Sequence, residues 1–182
     1  MFILYAIPIG LVLGLLVGGR LDRLGDLRLR WAPLMLLGLL IQIAIFSDAG
    51  GQFVGGASPA IYIASNAIVL AAVLRNVAIP GVAVIAAGAA CNLAAIAANG
   101  GWMPADPNAL VAVGALGEVY PNSIVVADPA LRPLTDLFAL PAWLPFANVF
   151  SIGDVLIGVG VVATIAIAMR GPTPAARPER GS

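Results

Sequence analysis

One acid, Asp154, lies inside an apolar run, in Val149-Phe-Ser-Ile-Gly-Asp154-Val-Leu-Ile-Gly-Val-Gly160. Polar groups at membrane depth are costly to bury and are functional candidates by default. The others of this kind are Gln42, Ser65, Asn66, Asn92, Asn99 and Thr164. A carboxylate can act as general base, general acid or nucleophile. Two compatible readings apply to Asp154. Ser151 stands three residues before it, which makes a capping box in which the helix N-terminus favours the negative charge. The same carboxylate also faces the outer mouth of a helix bundle. Arg132 is its expected ion-pair partner from across the preceding loop.

Gly88, Asn92, Ala95 and Asn99 recur at helical spacing and share one face. Asn92 either bonds a neighbouring helix, through Asn66 or Gln42, or faces a ligand. Asn99-Gly100-Gly101-Trp102-Met103-Pro104 combines residues that tolerate the left-handed helix stop with a proline that cannot continue a helix. It reads as a structural stop or as a binding turn with exposed backbone N–H groups. The candidate binding residues are therefore Asn92, Asn99, Gly100, Gly101, Trp102, Arg132, Ser151 and Asp154.

These residues sit in a chain of 182 that is 61% hydrophobic and 10% charged, with mean hydropathy +1.03. Soluble domains carry about 45–50% apolar and about 25% charged residues, so the composition predicts an integral membrane protein. Net charge is zero, which leaves no electrostatic footprint for nucleic acid. There is no His, and the single Cys91 excludes an internal disulfide framework and a multi-cysteine metal site. No metal and no cofactor is implied.

The expected fold class is an all-α membrane protein, a bundle of five transmembrane helices with a long Pro-rich outer loop. Apolar runs of roughly 17–25 residues suit a hydrocarbon core. Five qualify, at about 2–19, 31–47, 59–75, 80–99 and 149–169, the second and third being short. They are continuously apolar rather than alternating, which disfavours a barrel. The first run has no positive n-region before it and reads as a retained span, not a signal peptide. With five spans Arg20, Arg23, Arg28, Arg30, Arg75, Arg170, Arg177 and Arg180 share one side, and only Arg132 lies opposite. The positive-inside rule then sets the N-terminus outside and the C-terminus in the cytoplasm of a plasma-membrane protein. Asp48, Asp106, Glu118, Asp128 and Asp136 fall in outer loops. Residues 1–170 form one transmembrane domain, with the first inner loop along the interface and 171–182 a disordered cytoplasmic tail. No fixed-period repeat supports an inverted-repeat transporter.

The outer loop, 100–148, holds Pro104, Pro107, Pro121, Pro129, Pro133, Pro141 and Pro145, yet it is apolar: LVAVGALG, SIVVA, LFALPAWLPF. Long structureless loops are uncommon and often functional. This one is expected to fold back over the bundle as short helices and an extended piece, a plug or a lid, with Trp102 and Trp143 at the interface.

The chain resembles an uncharacterised bacterial family of small polytopic membrane proteins. The likeness rests on Asn99-Gly-Gly-Trp-Met-Pro104, the Pro-rich outer loop and Phe150-Ser-Ile-Gly-Asp-Val-Leu156, and it implies no activity. Residues from the second to the fifth span faintly resemble lipoprotein signal peptidase. Gly88-Ala-Ala-Cys-Asn92-Leu-Ala-Ala95 is similar to its G-A-x-G-N-x-x-D-R stretch, and Phe150 to Gly160 is similar to its F-N-x-A-D stretch. That likeness implies an aspartyl hydrolase, but Ala95 and Ile96 stand where the family has its first catalytic Asp and an Arg. Two carboxylates sharing a proton are needed, and Asp106 is the candidate second partner of Asp154. The expectation is a non-catalytic protein binding a membrane lipid or a partner membrane protein at its outer face. The alternatives are the hydrolase and a small transporter or channel.

Overall fold

The computed structural model describes residues 2–114 and 123–171. Glu118, Pro121, Arg177, Arg180 and the tail expected to be disordered lie outside the described residues. Five helices fall on the five apolar runs: α1 (Ala6–Leu16), α2 (Ala32–Ile45), α4 (Ser58–Leu74), α5 (Val82–Ala98) and α7 (Ile152–Arg170). Two short helices, α3 (Asp48–Val54) and α6 (Pro107–Ala112), complete the set.

By length and composition, two helical stretches suffice to cross a bilayer: Gln52–Leu74, with 23 residues, and Ile152–Arg170, with 19. The stretches Ile3–Leu16, Ala32–Ile45 and Val82–Ala98 are apolar but shorter. The 14 residues of α2 rise about 21 Å at 1.5 Å per residue. The third run proves longer than its apolar residues suggest, because α3 and a 3-10 turn at Gly55–Ala57 feed directly into α4. The connection between α1 and α2 holds a 3-10 helix, Leu21–Asp26.

The principal helix packings follow the spatial order α1–α7–α5–α4–α2. Glycines set the closest of these. Gly81 and Gly88 of the α5 side meet Gly160 and Gly153 of α7 backbone to backbone. A Cβ on Gly81 would stand 2.6 Å from the Gly160 carbonyl oxygen, and one on Gly153 would stand 2.8 Å from that of Gly88. Small residues that permit such approach are the usual means of packing helices in lipid. On the other flank of α7, Gly14 of α1 makes room for Met169, which is fully buried. Where α2, α4 and α5 meet, the core gathers Ile45, Tyr62, Ala95, Ile96 and Met103, with Phe46 edge-on to Tyr62 at 4.9 Å between centroids.

At one end of the bundle the α1–α2 connection, the residues after α4 and the end of α7 meet. The Arg20 N–H donates to the Met169 carbonyl at 2.8 Å, and the Arg23 guanidinium donates to that of Arg170. Asn76, just past α4, clasps the backbone of Arg30: its Oδ1 accepts from the Arg30 N–H and its Nδ2 donates to the Arg30 carbonyl, both at 2.7 Å. Arg20, Arg23, Arg28, Arg30, Arg75 and Arg170 are thus carried by segments that converge at this end.

The opposite end is covered by a cap built, among the described residues, from 99–114 and 123–148. Strand β1 (Met103–Pro104) pairs in parallel with β2 (Ser123–Ile124), and β3 (Phe138–Ala139) pairs antiparallel with β4 (Val149–Phe150). A bridge joins Ala105 to Asp136. The greasy loop therefore folds as short helix and extended pieces, because its apolar residues bury one another. Ala105, Ala109, Leu110 and Val149 form a small core.

Candidate acid–base site

The N-terminus of α7 and the C-terminal half of α5 build the centre of the site. Ser151 is the N-cap of α7, and the capping box is complete: Ser151 Oγ accepts from the Asp154 N–H at 3.1 Å, and Asp154 Oδ2 accepts from the Ser151 N–H at 3.0 Å. Asn92 joins it from α5. Its Nδ2 donates to Asp154 Oδ1 at 2.8 Å, and its Oδ1 accepts from Ser151 Oγ at 2.8 Å. Gly153 makes this possible, since a Cβ there would collide with Asn92 Oδ1. Asn92 thus bonds across helices as expected, but to Asp154 and Ser151 rather than to Gln42 or Asn66. Asn66 donates within its own helix to the Tyr62 carbonyl at 2.9 Å. Hydrogen-bond donors thus reach both Asp154 oxygens.

A second carboxyl comes from the cap. Asp136 is 7% exposed. Its backbone is held by the cap ladder, its N–H donating to the Pro104 carbonyl and its carbonyl accepting from the Asp106 N–H, each at 2.9 Å. Thr135 beside it is buried and donates through Oγ1 to the Arg132 carbonyl at 2.8 Å. Among the described residues no donor reaches the Asp136 carboxyl. Burial, and secondarily the charge of Asp154, push its pKa up to about 7. The two acids are therefore within electrostatic reach and unlike: Asp154 is furnished with donors, and Asp136 is desolvated. Environments that drive paired carboxyls apart are how acid and base roles are divided.

Asp106, the expected second carboxylate, does other work. Its Oδ1 caps α6 by accepting from the Asn108 N–H at 2.9 Å, and its Oδ2 lies 3.6 Å from Arg132 Nη2. Arg132 accordingly pairs with Asp106 and not with Asp154, because residues 131–134 and 105–106 flank the same bridge. A cavity of about 400 Å³ is lined by Asp106, Arg132, Thr135 and Leu137, the last two being neighbours of Asp136 in sequence. Among the described residues no group of three or more His, Cys, Asp or Glu could hold a metal ion.

The Asn99 turn acts as a structural stop. Asn99 clasps Ala130: Oδ1 accepts from its N–H and Nδ2 donates to its carbonyl, both at 2.9 Å. Gly101 adopts φ +91° hard against Pro59, whereas Gly100, at φ +71°, faces open space. Trp102 is half-buried, and Trp143 is 81% exposed. Ala95, which replaces the acid of the signal peptidase pattern, is fully buried core. Asp136 escaped the sequence reading because it looked like one more loop acid. Its signal was its apolar setting, Pro133-Leu-Thr-Asp136-Leu-Phe-Ala139.

The chain belongs to a family of unknown function (DUF5317), whose model matches residues 26–166. No curated protein and no solved structure matches it.

Proposed function

We propose that the chain is a multi-pass membrane protein with five spans, N-terminus outside, whose outer face carries an acid–base site acting as an aspartyl hydrolase on a membrane-borne substrate. The observation that carries this reading is the buried Asp136 carboxyl within electrostatic reach of Asp154. Convergence of six arginines at one end and of Arg132 with the acids at the other supports the orientation. In the chemistry, Asp154 takes a proton from water as the water oxygen attacks a carbonyl carbon. Asp136 delivers its proton to the leaving nitrogen or oxygen as that bond breaks, and a proton then passes from Asp154 back to Asp136. Asn92 and Ser151 are positioning residues that orient Asp154.

The test is cleavage of a prolipoprotein and of a panel of membrane-tethered peptides by the detergent-purified protein. Asp154→Asn and Asp136→Asn each lower cleavage at least ~100-fold, while Asp106→Asn leaves it within a few-fold. A wild-type protein inert on the whole panel, or an Asp136→Asn variant with full activity, overturns the reading.

A second reading, non-catalytic binding of a lipid or a partner membrane protein at the outer face, is favoured by the exposure of Trp143 and Phe146, 81% and 70%, on the cap. It predicts that Trp143→Ala releases a co-purifying lipid or protein from native nanodiscs, with no dependence on Asp136.

A further inference from the structure

A second feature lies at the opposite end. A cleft of about 200 Å³ opens between α2, α4, α5 and α7, walled by Leu27, Leu29, Met35, Val73, Val82 and Ile165. Two polar residues reach its wall, and both are already engaged by the protein. Asn76 holds Arg30 through its backbone and donates to the Ala72 carbonyl at 2.8 Å. Thr164 Oγ1 lies 2.9 Å from the Pro80 carbonyl and 2.8 Å from that of Gly160. The wall therefore offers hydrocarbon and no unpartnered polar group, which suits an alkyl chain and not a polar metabolite.

Three arginines adjoin the wall residues of the cleft in the chain. Arg28 lies between the wall residues Leu27 and Leu29. Arg30 is fixed to Asn76 by the backbone clasp, and Arg75 adjoins Asn76 in sequence. All three are exposed, and among the described residues none makes an ion pair. They differ in this from Arg20, bound to Asp22 at 2.7 Å, and from Arg23, which caps the carbonyl end of α7. Basic pockets between helices on the cytoplasmic side suit anionic headgroups.

We infer that this cleft is a binding site for an anionic diacyl phospholipid of the inner leaflet, one acyl chain lying in the cleft and the phosphate among Arg28, Arg30 and Arg75. The inference rests on the membrane reading but not on the chemistry of the outer site.

The test is native mass spectrometry of the detergent-purified protein titrated with phosphatidylglycerol or phosphatidylcholine. Phosphatidylglycerol is expected to bind at least tenfold more tightly. The triple variant Arg28→Gln, Arg30→Gln, Arg75→Gln loses that preference, each arginine contributing about fivefold. Val73→Trp, which fills the cleft, weakens both lipids. Inorganic phosphate at millimolar concentration does not compete, which separates a lipid site from a free-phosphate site. Each variant is checked by its thermal midpoint. For any variant that fails to fold, wild-type protein challenged with lysophospholipid and with soluble glycerophosphate gives the same reading: the first competes and the second does not. Equal binding of the two phospholipids by wild-type protein, preference retained in the triple variant, or competition by phosphate overturns the inference. Monodisperse wild-type protein in the absence of detergent overturns the membrane reading instead, and loss of cleavage at the outer site leaves the lipid result unaffected.

Discussion

The two ends of the bundle are closed by one device and differ in what it holds. At one end Asn76 grips the Arg30 backbone through both its N–H and its carbonyl, while its amide also donates to Ala72 four residues back. At the other end Asn99 grips Ala130 in the same way and donates to Ala95, again four residues back. A side-chain amide presents a donor and an acceptor side by side, as a backbone strand edge does, so each asparagine serves a distant segment as a one-residue strand. The Asn76 clasp holds a segment of exposed arginines. The Asn99 clasp holds a cap that removes a carboxyl from water. The same local chemistry therefore yields an exposed charged rim at one end and a perturbed acid at the other, according to what the chain carries past the asparagine.

The largest expected effect lies in that perturbed acid. In the fold Asp136 keeps its proton up to about pH 7, whereas in the unfolded chain it releases it near 4. Between these values the folded state binds more protons. Stability therefore falls as pH rises from about 4 to about 7 and stays low above it, by at most on the order of 4 kcal/mol. Asp136→Asn should remove the slope and raise the midpoint at pH 8, as read by thermal unfolding in micelles. A wild-type midpoint equal at pH 5 and pH 8 would erase the contrast between the ends.

Next comes the glycine that lets Asn92 reach Asp154. Gly153→Leu drives a side chain into Asn92 and the Gly88 backbone, and denaturation should show a loss of about 3 kcal/mol. The clasps themselves then separate. Asn76 is 3% exposed, so Asn76→Ala leaves buried backbone groups without partners and should cost about 2 kcal/mol. Asn99, nearer to solvent, should cost about 1 kcal/mol. Equal losses at the two positions would show that burial is not what distinguishes them. The smallest effect belongs to Arg132→Ala. That side chain is 66% exposed and 3.6 Å from Asp106, and the change should stay within about 0.5 kcal/mol.

Much of this was legible in the residues themselves. Continuous apolar runs too long for strands read as helices, and helices fall on all five. Ser151 and Asp154 announce a cap by their spacing alone. The glycine stop after Asn99 was equally local. What escaped depends on contacts between residues far apart in the chain. The burial of Asp136 follows from a bridge to Ala105, 31 residues before it. The partners of Asn92 lie on α7, and Arg132 meets Asp106 because both border that bridge. Asn76 gave no sign at all, since an asparagine after a helix ordinarily reads as a turn. No periodicity encodes such pairings.

The Asn99 clasp also has a consequence in polymer terms. It closes a ring of chain whose ends are separated by 31 positions, and the entropy lost in closing a ring grows only with the logarithm of its length. Doubling that ring would cost about 0.6 kcal/mol. The stretch between the clasped residues is therefore nearly free to lengthen or shorten at its surface turns while both anchors stay in place. Relatives of this chain should differ in length there more than anywhere else along the helices.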